Sequence, residues 1–190
     1  GQTTQLRSSD GVGFTPAGNR KLAHFVEREL KRARLAGGGA PARRFRPRED
    51  AEDLLATLRT LYADKALDIG ADIRAPAHLP FDQEDMLELL GNLLDNAAKW
   101  ASGRVGLTLR AADTLRVLVE DDGPGVEPAH AEGLLSRGTR LDESTPGHGL
   151  GLAIVGDIVR LHQGRLAFSR SQSLGGLAVR VELPMPGSAR

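Results

Sequence analysis

The chain contains no cysteine, which excludes disulfide staples and thiolate metal sites. It carries no net charge, because 25 Lys and Arg balance 25 Asp and Glu. Nothing in that balance argues for nucleic acid or an anionic membrane as a partner. Long apolar runs are missing too. None approaches the ~18 residues of a transmembrane helix, and no signal peptide is visible. The chain as given is expected to be soluble, which leaves open that it is cut from a membrane protein. What is present is 190 residues, 40% of them hydrophobic, enough for one domain with a real core and a short appendage. Its 23 glycines exceed the usual share, and several of them cluster.

Residues 1–19 show turn formers and no apolar period, as in a polar linker or a leftover of expression. Residues 20–36 place Leu22, Phe25, Val26, Leu30 and Ala33 near helical spacing, with charges on the other faces, and Gly37-Gly38-Gly39 ends the helix. So narrow an apolar face suits a piece of a coiled coil or bundle, and the stretch to residue 40 marks the boundary to a main domain over 41–186. There, residues 43–47 read as a short edge strand and 50–65 as a helix carrying Leu54, Leu55, Leu58, Leu61 and Tyr62 on one face. Residues 67–73 alternate like a half-buried strand. A helix starts at Asp82 or Gln83 and runs to about Ala101, followed by paired strands over 105–110 and 114–120. Residues 127–148 are rich in Gly, Ser and Pro without a repeating pattern; a loop of that length inside a domain is usually functional or disordered. Residues 150–162 form a second strong helix, and strands over 165–169 and 177–183 close the domain. The sum is an α+β fold, a two-layer sandwich with about three helices on one face of a mixed, mostly antiparallel sheet.

Three signals follow one another in that frame. On the helix over 83–101, Asn92, Asn96 and Lys99 fall within roughly 60° of one another. Met86, Leu90, Leu93, Leu94, Ala97 and Ala101 form the opposing apolar face. The trio read alone is a solvated helical face, yet such a face favours Glu, Lys, Arg and Gln over Asn. Asn carbonyl oxygens can ligate a hard cation such as Mg²⁺ that also binds phosphate oxygens, and Lys can neutralise the same phosphates.

Next, the apolar strand Val117-Leu118-Val119 runs into Glu120-Asp121-Asp122-Gly123-Pro124-Gly125. Read alone this is a tight turn after a strand. The functional reading has Asp121 accept a hydrogen bond from an exocyclic amine such as that of adenine, while Gly123 and Gly125 let the backbone approach the ring. Third, Gly147-His148-Gly149-Leu150-Gly151-Leu152 feeds the apolar helix. A glycine turn at a helix N-terminus suits phosphate; without a ligand it is a hinge. It is no Walker A loop, since no Gly-Lys-Ser/Thr follows, and it lacks a Rossmann context. Arg137 and Arg140 lie in the irregular segment before it. Loop arginines are usually just solvated, but close to a triphosphate a mobile one can stabilise charge during transfer.

In this order and spacing the motifs resemble the ATP-binding catalytic domain of sensor histidine kinases. That domain has the Bergerat fold of the GHKL superfamily, shared with DNA gyrase, heat-shock chaperone ATPases and MutL. Residues 88–100 (ELLGNLLDNAAKW) resemble the N box, 119–126 (VEDDGPGV) and 147–155 (GHGLGLAIV) two glycine boxes, and 173–176 (SLGG) the last. The run LLSRGTRLDESTPGHGLGLA is similar to the PhoQ-like branch. The match covers about 41–184.

The resemblance implies Mg²⁺ on Asn96 with Asn92 in support, phosphate on Lys99, and adenine on Asp121 with Gly123 and Gly125 shaping its pocket. It implies that Arg137 or Arg140 reaches the γ-phosphate and that residues 127–148 are an ATP lid hinged at Gly147, Gly149 and Gly151, with Leu150 and Leu152 beside the nucleotide. Helix 20–36 becomes the end of a dimerisation hairpin. The implied partners are ATP, a histidine-bearing dimerisation domain of the same parent, and a response regulator. The implied parent is a homodimer anchored in the inner membrane, with this domain in the cytoplasm. The chain departs from the pattern in three places. Leu134-Leu135-Ser136 stand before Arg137-Gly138 where a Phe is usual, and Leu177 follows the last glycine box where a Thr or Ser is common. No phosphoacceptor box is visible; His24 precedes Phe-Val-Glu and reads as an ordinary helix residue. The fragment alone is expected not to autophosphorylate. The alternatives are a gyrase- or chaperone-type ATPase, a non-catalytic nucleotide-gated module and an anti-sigma-type serine kinase. Gyrase-like ATPases carry a Glu at the position of Asn92, and Asn is a poor general base.

Overall fold

An apolar stripe on one side of a helix has to be covered, and the cover here is a sheet. The structure, a computed structural model, describes residues 43–126 and 151–186. The expectations for helix 20–36, for the loop over 127–148 and for His24 lie outside them. Element order is β1 (Arg44–Phe45), α1 (Pro47–Leu61), a 3₁₀ turn (Ala63–Lys65), β2 (Asp68–Arg74), β3 (Leu79–Asp82), α2 (Gln83–Trp100), β4 (Arg104–Ala111), β5 (Thr114–Asp121), α3 (Gly151–Leu161), β6 (Arg165–Arg170) and β7 (Leu177–Pro184). Strands β2, β4, β5, β7 and β6 make one five-stranded sheet in that order, and β1 and β3 a separate antiparallel ribbon. In the large sheet β2 pairs with β4 in parallel, the other neighbours antiparallel. A parallel pair needs a long crossover, and β3 with α2 supplies it. The architecture is the expected α+β sandwich, with α1, α2 and α3 as its helical layer.

Helix α2 is the spine of the core. Its N-cap is Asp82, whose carboxylate accepts from the amides of Glu84 at 2.8 Å and Asp85 at 3.3 Å. That bond satisfies donors left over at a helix start. Met86, Leu89, Leu90, Leu93 and Leu94 are each no more than 1% exposed, a burial that contributes roughly 1.5–3 kcal/mol per side chain. This face packs on β4 and β5, and α3 lies alongside. His162, just past α3, sits 2.7 Å from a carboxylate oxygen of Asp85 and edge-on to Phe81, which ties the end of α3 to the start of α2.

Two elements differ from the sequence reading. The helix expected over 50–65 begins earlier, at Pro47, and stops at Leu61. Proline suits a first helical turn, where its missing N–H costs nothing. Lys65 instead ends a 3₁₀ turn capped by Ala66 in the left-handed region, φ 49°. Strand β3 was not expected; it has four residues, one of them Pro80, and among the described residues it pairs only with β1. Proline in so short a strand confines it to an edge.

Candidate functional site

Strand β5 alternates, and the row turned towards the helices is Leu115, Val117, Val119 and Asp121. A carboxylate therefore occupies the last position of a core row. Asp121 is 2% exposed. One of its oxygens accepts from the amides of Gly123 at 2.8 Å and Leu177 at 3.2 Å, while its backbone carbonyl accepts from Gly176 at 3.0 Å. Burial pushes the carboxyl above its ordinary value, against the pull of those two amides. Among the described residues no donor is recorded on its second oxygen.

The glycines around this carboxylate are required by contact. A Cβ on Gly176 would stand 2.3 Å from the Asp121 carboxylate, and one on Gly123 2.4 Å from the Trp100 carbonyl. Gly125 has φ +74°, a left-handed conformation that glycine adopts without strain. Glu120, one residue before Asp121, accepts from the Ser171 and Ser173 hydroxyls at 2.8 and 2.9 Å. The Ser171 hydroxyl in turn accepts from the Leu174 amide at 2.9 Å. This lattice holds the turn over 171–176 against the end of β5. On the other side, Asp122 accepts from the amides of Ser102, Gly103 and Arg104 at 2.8–2.9 Å. Burial works against ionisation there, but the amides together hold the carboxyl below its usual range. The end of β5 is thus fastened both to the turn before β7 and to the loop after α2.

Asn92, Asn96 and Lys99 are half-buried on α2. The Asn92 amide nitrogen donates to the Glu88 carbonyl at 2.8 Å. A Cβ on Gly151 would lie 2.9 Å from the Asn92 amide oxygen, so α3 passes close over that side chain. The structure in this way brings the α2 motif to Gly151 through Asn92 and to Gly123 through Trp100, and Gly123 to Gly176 through Asp121. Leu152 is 9% exposed; its side chain belongs to the core, leaving only its backbone for a ligand. Gly147, Gly149, Leu150, Arg137 and Arg140 lie outside the described residues. Sequence reasoning missed Asp122, Glu120 and Ser171, whose signal was only that each is a polar residue beside a glycine turn. It missed Lys65 as well, which bonds three carbonyls at the end of α2. Among the described residues no group of three His, Cys, Asp or Glu forms a metal centre.

A profile of histidine kinase-, DNA gyrase B- and HSP90-like ATPases matches residues 81–187, and the chain belongs to that family. Within it, the chain is an ATP-binding catalytic domain of the sensor histidine kinase type. It is 46% identical over 171 residues to the sensor protein kinase CarS of Pseudomonas aeruginosa, covering 90% of this chain and 38% of that protein. It is 35% identical over 163 residues to the sensor protein PhoQ of Escherichia coli K12, covering 85% and 33%. The chain therefore spans well under half the length of these curated relatives. Among solved structures, it resembles the mycobacterial sensor histidine kinase MprB at TM-score 0.62 and 31% identity, over 72% of this chain and 93% of that one. The catalytic domain of the histidine kinase ThkA shares the fold at TM-score 0.69 and 20% identity, over 77% of this chain and 98% of that one.

Proposed function

We propose that this domain binds Mg-ATP between α2 and the end of β5, and donates the γ-phosphoryl to a histidine on a dimerisation domain. From there the phosphate passes to a response-regulator aspartate. The observation that carries the reading is Asp121: a carboxylate at the end of a core row, one oxygen held by two amides, with glycines packed where any side chain would collide. A buried acceptor so fixed is suited to reading an adenine amine. Gly123 and Gly125 would shape the pocket around that ring.

Asn96, with Asn92 in support, would hold Mg²⁺ through amide oxygens. The fit rests on chemistry: hard cations with several retained waters take amide and phosphate oxygens, and need no carboxylate cage. The ion would neutralise phosphate charge. Lys99 would contact phosphate, and Arg137 or Arg140 would reach the γ-phosphate from a lid over 127–148 hinged at Gly147, Gly149 and Gly151. Catalysis would rest on positioning and charge neutralisation, as phosphoryl transfer generally does. The parent is proposed to be a homodimer anchored in the inner membrane, with this domain on the cytoplasmic side. Asn92 favours transfer over hydrolysis, since an amide is a poor base for activating water.

Calorimetry with Mg-ATP on the wild type, Asn96→Ala and Asp121→Ala is the direct test, followed by addition of a separate dimerisation domain and radiolabelled ATP. Saturable binding weakened by both substitutions, slow turnover alone and label on the added histidine are expected. Steady hydrolysis without acceptor would move the assignment to an ATPase. Absence of binding at millimolar ATP would overturn the intact-site reading.

A further inference from the structure

The last turn of α2 leaves carbonyl oxygens that no later amide of the helix can reach. Most helices solve this with glycine or water; here a side chain from a different segment does it. Lys65, at the end of the 3₁₀ turn, donates to the carbonyls of Ala98 at 2.9 Å, Lys99 at 2.6 Å and Ala101 at 3.1 Å. Its three ammonium protons thus have three acceptors at a helix C-terminus, where a cation is also favoured by the helix dipole. The Trp100 carbonyl, in the middle of that set, lies against Gly123 instead. One turn back, the hydroxyl of buried Tyr62 donates to the Asp95 carboxylate at 2.8 Å. The Lys65 ammonium also lies 5.9 Å from the centre of the Tyr62 ring, so both grips come from one corner of the chain. The charge of Lys65 is felt at Asp121, where it favours the ionised carboxylate.

This grip holds the part of α2 from which Asn96 and Lys99 project and on which Gly123 rests. We propose that Lys65 is a positioning residue for the nucleotide site. By fixing the last turn of α2 it sets the distance between the amide and cation on that helix and the Asp121 carboxylate at the end of β5. The proposal rests on the ATP-site reading above and adds a residue that touches no substrate. It predicts that loss of the ammonium loosens both ends of the site together, because one turn of helix serves both.

The test uses the whole chain with Lys65→Met, Lys65→Arg and Ile73→Ala. Ile73 is a buried residue of the edge strand β2, so its truncation lowers stability without touching α2's last turn. Mg-ATP affinity is measured by calorimetry on folded protein, urea midpoints are measured in parallel, and Trp100, the single tryptophan, reports on the end of α2 by fluorescence. Lys65→Met is expected to weaken Mg-ATP binding about tenfold, the scale of a lost charged hydrogen bond, and to shift Trp100 emission before nucleotide is added. Lys65→Arg is expected to recover part of the affinity, and Ile73→Ala to bind within about twofold of wild type. Wild-type affinity in folded Lys65→Met, or an equal loss in Ile73→Ala, overturns the proposal. Those outcomes come with normal wild-type binding that Asn96→Ala still weakens, which separates them from failure of the ATP-site reading, where the wild type itself does not bind.

Discussion

Replacing Gly176 by alanine adds a single methyl group at the tightest contact in the site. That methyl would stand 2.3 Å from the Asp121 carboxylate, 2.5 Å from its backbone carbonyl and 2.6 Å from the Gly123 amide. Real Cβ contacts essentially never fall below 3.0 Å, so the turn and the end of β5 must part by about 0.7 Å. None of the three atoms is the far end of a flexible side chain, since Asp121 is pinned by the amides it accepts. Parting stretches the bonds from Gly176 to the Asp121 carbonyl and from Leu177 to its carboxylate, at 3.0 and 3.2 Å. Two weakened hydrogen bonds at about 1 kcal/mol each, with overpacking of about 1–3 kcal/mol, give a loss of roughly 3–5 kcal/mol. A domain of ordinary stability survives that, so the variant can be assayed folded. Urea unfolding of Gly176→Ala beside Gly70→Ala measures it, because a Cβ on Gly70 meets nothing within 4 Å. Gly70→Ala is expected to be neutral or slightly stabilising, and Gly176→Ala to lose Mg-ATP binding as well as stability. Equal urea midpoints for the two variants would refute the argument from contact.

Asp121→Asn keeps the shape and an acceptor oxygen but removes a buried charge, so at pH 7 stability is expected to hold or rise while Mg-ATP affinity falls by ten- to a hundredfold. A combined loss of stability and affinity would contradict it. The two adjacent carboxylates are expected to give pH profiles of opposite sign. The folded value of Asp121 is raised, so its contribution is present below the unfolded value near 3.8 and is lost as pH rises through the raised one. Asp122 is lowered, so its contribution is present above that unfolded value and is lost as pH falls through the lowered one. Urea midpoints of Asp121→Asn and Asp122→Asn should therefore approach wild type towards pH 3 and part from it in opposite directions towards pH 7, the first holding or rising above it and the second falling below it. Ser171→Ala removes the hydroxyl that links Glu120 to the Leu174 amide. It is expected to speed hydrogen exchange in residues 173–176 without unfolding the sheet, and unchanged exchange there would show that the turn is held by something else.

Helices and most strands were legible because each repeats its own period. The stripe from Met86 to Ala97 specifies α2 whatever it packs on, and Asp82 marks its start. The row Leu115, Val117, Val119 already turned Asp121 inward, so a buried carboxylate could be read from alternation alone. Strand β3 was not legible: four residues with a proline carry no period, and it exists because β1 offers a partner. Neither was the break after α1, where a 3₁₀ turn follows and ends on Ala66 in a left-handed conformation that its own side chain does not ask for.

The sequence by itself determined the elements, the inward row of β5, and the kinship carried by three spaced motifs. These are local properties, set by periodicity and backbone preference within a few residues. Only the tertiary structure decided what stands against what. Leu177 donates to Asp121 across 56 residues, and Lys65 reaches the carbonyls of α2 across 33 to 36. Such contacts leave no local trace, since a lysine after a helix or a glycine in a turn has many uses. Their role comes from the sheet order, which lays β7 beside β5, and from the chain corner after α1, which delivers an ammonium to a helix end. The carboxylate was written into the strand; its glycine walls and the grip on the facing helix came from packing.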